Sequence, residues 1–76
     1  MNEPKAKIIQ PEGINYMIQS AFYTEDQAQK YINMLISKME KYILLKKEGK
    51  RIAPLMTLNE MESQLKVMKQ FYIINI

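Results

Sequence analysis

The sequence reads as a small α+β domain of order β-β-α-α-β, a reading that rests on three observations. An alternating apolar pattern precedes residue 24. Two stretches with apolar residues spaced by three and four each follow a Thr-x-x-Gln or Thr-x-x-Glu start. The last six residues, Phe71-Tyr72-Ile73-Ile74-Asn75-Ile76, are dense in strand formers.

The 76 residues make one domain, divided by turn signals at Pro11-Glu12-Gly13, Lys47-Glu48-Gly49-Lys50 and Ala53-Pro54. Residues 5–23 are expected to form an N-terminal β-hairpin. Ile14, Tyr16, Ile18 and Phe22 fall on one face, with Asn15 and Gln19 on the other. That is the period-2 signature of a half-buried strand. Lys5 and Lys7 likewise stand opposite Ala6 and Ile8. A loop of about three residues containing Gly13 suits the connection.

A long amphipathic helix is expected over residues 25–48. Thr24 and Gln27 fit a capping box, in which the hydroxyl accepts from an orphan amide and the residue three on reaches back. Glu25 and Asp26 place negative charge at the positive end of the dipole. Ala28, Tyr31, Ile32, Leu35, Ile36, Met39, Tyr42 and Ile43 then mark one helical face. Gly49 supplies the left-handed residue on which helices often stop.

A second amphipathic helix is expected over residues 58–70, started by Thr57 and Glu60 and carrying Leu58, Met61, Leu65, Met68 and Tyr72 on one stripe. Glu62 and Lys66 are placed to pair at i, i+4. Residues 71–76 are open between a third strand and an extension of that helix, because no Gly or Pro separates them from it.

The first helix is long for its chain. Residues 25–48 span about 36 Å, whereas a compact domain of this size is about 30 Å across. Its far end, with Leu44 and Leu45, should overhang, and Met34 also lies off the main apolar face. The second helix can cover that end alone. The more economical cover is a second copy around a two-fold axis, so a homo-oligomer, most simply a dimer, is expected. Met34, Tyr42, Leu44 and Leu45 are its interface candidates.

Composition narrows the function. With no His or Cys, the common zinc, copper and haem ligand sets are absent, as are His-based nucleophile systems and disulfides. No catalytic residue, metal or cofactor is expected, and binding is favoured over chemistry. The amino terminus lacks the apolar run of a signal peptide, and the longest apolar runs are the four residues Tyr42–Leu45 and Phe71–Ile74. A soluble cytoplasmic protein with no membrane partner is the expectation. Heavy use of Ile, Lys, Asn and Met suggests AT-rich coding, as in a low-GC bacterium or its phage.

The net charge of +3 is unevenly spread. Residues 38–51 hold six basic and two acidic groups, net +4, leaving five basic and six acidic elsewhere, net −1. Two readings follow. The first is a regulatory or inhibitory protein, of phage or mobile-element type, that binds a macromolecular partner through apolar anchors. The second is an anion binder for a nucleotide or nucleic acid, using Lys46, Lys47, Lys50 and Arg51 with Tyr23 as a stacking ring. Complementing the helix's own dipole also accounts for the lysines at its end.

Overall fold

Strand β1, Ala6–Ile9, lies at the centre of a three-stranded antiparallel sheet. Strand β2, Ala21–Phe22, pairs along one side and β3, Tyr72–Asn75, along the other. The computed structural model describes residues 3–11, 18–51 and 56–76. The expected strand positions Ile14 and Tyr16, and the turn residues Glu12, Gly13, Ala53 and Pro54, lie outside them.

The order β-β-α-α-β and the α+β class are those read from the sequence. The hairpin register differs. A three-residue loop at Pro11–Gly13 would set Gln10 opposite Ile14. Instead Ala6 faces Phe22, and the Ile8 amide donates to the Ser20 carbonyl at 2.8 Å. Residues 18–20, expected in the strand, lie before it. The offset is an even number of residues, so it exchanges no side chain between faces. Phe22 is buried and Ile18 packs on the core, as the alternation requires. Packing explains the register: the large Phe22 sits across from the small, fully buried Ala6, with the Tyr31 ring 5.3 Å away at a 46° tilt.

Helix α1, Glu25–Lys47, crosses the inner face of the sheet. It ends one residue before the expected limit, with Glu48 as C-cap and Gly49 at φ +79°. Ala28 is fully buried, and no bulky side chain at that point holds helix and sheet apart. The core joins Ala6, Ile8 and Phe22 of the sheet to Ala28 and Ile32 of α1, closed by Met68 and Phe71.

Helix α2, Leu58–Met68, packs along α1 and not on the sheet. It ends two residues before the expected Gln70, and the chain turns through Lys69 and Gln70 directly into β3. That settles the last segment as a strand, and it pairs with β1 of its own chain. Met61 of α2 and Ile43 of α1 are both buried, outside the main core cluster. Glu62 reaches Lys47 across the two helices at 3.7 Å, where the sequence spacing pointed to Lys66. The result is elongated, 48 × 22 × 16 Å with a radius of gyration of 14.2 Å. A compact chain of this length would have about 11 Å.

Candidate functional site

The pleat and the register together define the outer face of the sheet. Residues directly opposite one another across an antiparallel pair share a face. Ala6 and Ile8 point toward α1, so Lys7 and Ile9 point away, together with Ala21, Ile74 and Tyr72 opposite them. The Ile76 amide donates to the Lys5 carbonyl at 3.0 Å, extending this face to Lys5 and Ile76. Tyr23 follows the inward Phe22 and completes it at the β2 edge.

This face is unusually apolar for one that no other element covers among the described residues. Six large hydrophobic side chains are exposed among the described residues, and four of them are here: Tyr23 (53%), Tyr72 (56%), Ile74 (40%) and Ile76 (71%). Lys5 and Lys7 stand on the central strand between them, and no Asp or Glu occupies a paired position on the face. Two lysines flanked by isoleucines and tyrosines form a cationic, apolar platform. Such a surface suits a partner that is itself apolar and carries carboxylates.

The basic end is a separate place. Lys46, Lys47, Lys50 and Arg51 are all exposed at the far end of α1. Two already face carboxylates: Lys47 meets Glu62 at 3.7 Å, and Lys50 meets Glu48 at 3.4 Å. Lys46 borders an open cleft of about 420 Å³ with Met56, Thr57, Leu58 and Glu60. Tyr23 precedes the other end of α1, so the whole 23-residue helix, about 35 Å, separates it from these lysines. The structure therefore does not bring Tyr23 and the lysines into one site. Tyr23 instead lines a small cleft of about 170 Å³ with Pro4, Gln19, Ala21, Phe22 and Gln27. Ligand pockets are more often roughly 300–1,000 Å³, so this cleft is small for a nucleotide.

The four interface candidates on α1 also divide. Met34 and Leu44 are exposed, at 51% and 58%. Tyr42, on the apolar stripe, is half-buried, and so is Leu45, which was expected at the overhanging end. Ser37, Lys38 and Lys41, all exposed, lie between Met34 and Leu44 along the helix, which breaks any continuous apolar stripe.

Reading the sequence alone missed the outer face. The signal was present: Tyr72, Ile74 and Ile76 alternate, as do Lys5, Lys7 and Ile9. What the sequence lacked was the register that sets those two series side by side. Among the described residues, no helix is long and apolar enough to cross a membrane. No family model, curated protein or solved structure matches this chain.

Proposed function

We propose that this chain is a small non-enzymatic binding protein, regulatory or inhibitory in kind, that docks a macromolecular partner on the outer face of its sheet. The supporting observation is the concentration of the exposed side chains of Tyr23, Tyr72, Ile74 and Ile76 around Lys5 and Lys7 on one face of the sheet. The partner is a protein surface that is apolar and acidic. Single-stranded nucleic acid fits less well, because two lysines would release few counterions and give only a shallow salt dependence. The anion-binding alternative at Lys46, Lys47, Lys50 and Arg51 is weakened by the carboxylates already beside two of them.

The test is affinity capture from a lysate of the native host, comparing two variants with the unaltered chain. Lys7→Glu with Tyr23→Ser alters the outer face away from β3. Replacing Lys46, Lys47, Lys50 and Arg51 by Glu alters the basic end. The proposal expects the first variant to weaken capture by about tenfold or more, as loss of interface anchors does. The second should leave it unchanged. The reverse result, with binding that collapses as salt rises, would move the function to the basic end.

A further inference from the structure

Strand β3 is an edge strand, and its bonding alternates. Ile76 bonds to Lys5, and Ile74 and Tyr72 lie opposite Lys7 and Ile9. In an antiparallel ladder successive residues direct their backbone groups to opposite sides. Ile73 and Asn75 therefore turn N–H and C=O away from β1, toward the edge. Natural edge strands are blunted by charges, proline, bulges or a covering element. Tyr72-Ile73-Ile74-Asn75 has no charge and no proline, and α2 packs on α1 and not against β3.

We infer that β3 pairs with β3 of a second copy of this chain, antiparallel about a two-fold axis at Ile74. In that register Ile73 and Asn75 of the partner subunit exchange two backbone hydrogen bonds, and the symmetric pair exchanges two more. The result is a six-stranded antiparallel sheet. On its outer face Ile74 meets its own copy, and Tyr72 meets Ile76 of the partner subunit, so the three exposed apolar side chains at this edge gain neighbours. Charge separates this arrangement from the stacking of two outer faces. Stacking would bring lysines 5 and 7 of both copies into one apolar layer. Edge pairing keeps the two Lys7 side chains three strand spacings apart, roughly 14 Å, beyond the screening length of about 8 Å at physiological salt. The inference goes beyond the partner proposed above. It uses the edge of β3 and leaves a doubled outer face free.

Three variants test it. The chain has no cysteine, so Ile74→Cys carries a single thiol. Across the axis the two Cα atoms of a non-hydrogen-bonded pair are roughly 4.5 Å apart, inside the span a disulfide accepts. Tyr72→Cys places its two copies roughly 14 Å apart. Under mild oxidation Ile74→Cys is expected to form a covalent dimer at least tenfold faster than Tyr72→Cys. Asn75→Pro removes an edge donor, and proline is tolerated where the amide faces out from an edge strand. By light scattering, the unaltered chain is expected to approach twice its 9.0 kDa mass as concentration rises, with Asn75→Pro remaining at 9.0 kDa. A mass of 9.0 kDa for the unaltered chain up to millimolar concentration overturns the inference. Equal oxidation rates for the two cysteine variants also overturn it, and that comparison holds even if Asn75→Pro unfolds.

Discussion

Thr24 and Thr57 start the two helices through the same bond. Each hydroxyl accepts from the amide three residues on, Gln27 or Glu60, at 3.1 Å. The reciprocal half of the expected capping boxes is formed in neither as the sequence implied. For Thr57 the hydroxyl donates to the Glu60 carboxylate at 3.0 Å, so Glu60 meets the side chain of the cap and not its amide. The cap's value therefore resides mainly in the threonine. Thr57→Ala should cost about 1 kcal/mol, the usual loss for an N-cap, and Glu60→Ala appreciably less. Urea unfolding of the two variants checks this, and equal losses would show that the carboxylate matters as much as the hydroxyl. Gly49 is the other residue whose identity is fixed locally. Its φ of +79° is left-handed, and nothing lies within 4 Å of where a Cβ would stand. Gly49→Ala should thus lose about 1 kcal/mol through backbone strain alone, with no clash added. An unchanged urea midpoint would mean that the turn shifts to another conformation.

Among the elements, α2 packs along α1. Ile43 and Met61 are buried at the junction of the two helices, while Leu44, one residue along α1, remains 58% exposed. Met61 is the largest fully buried side chain among the described residues, at 1% exposure. Met61→Ala should therefore cost roughly 2–5 kcal/mol, whereas Leu44→Ser should change stability by about 0.5 kcal/mol or less. Calorimetry on the two variants reads the difference directly, and a comparable loss for both would mean that Leu44 is covered in solution. Both helices were legible in the sequence because their signals are local: a threonine, an acidic first turn, a 3.6-residue stripe and, for α1, a glycine stop. The faces of the strands were legible for the same reason. The hairpin register was not, since the choice between Ile18 and Phe22 as the partner of Ala6 depends on how Phe22 fits against Ala6 and Tyr31. The outer face was hidden for a related reason: its β3 side comes from a segment far along the chain from β1 and β2, and no local pattern reports their adjacency. Tyr23 and the lysines near Gly49 seemed able to share a site only because the sequence does not display the length of helix between them.

The molecule as a whole has two small packed regions on one long helix. The sheet packs over the first half of α1, and Ile43 and Met61 are buried outside that core, on the two helices that pack together. Each region, taken with its share of α1, is near the size of roughly 40 residues below which a core seldom suffices alone. The α1 backbone passes through both, and α2 runs from the second region to Met68 and Phe71 of the first. Neither half can unfold without removing a support of the other, so a single cooperative transition is expected despite the 48 Å length. The aromatic rings allow a test of this. Tyr31 and Phe22 pack at a tilt in the sheet region, so near-ultraviolet dichroism, read in a Tyr42→Leu background, reports that region, while the far-ultraviolet signal reports mainly α1 and α2. The two urea transitions should coincide in that background. In Met61→Ala, where the cavity lies outside the main core, both midpoints should move down together. A variant in which the helical signal falls first and the aromatic signal keeps its original midpoint would show that α1 does not couple the two regions. The outer face would then rest on the sheet region alone, so the same pair of curves also tells whether α2 is needed to present the proposed binding surface.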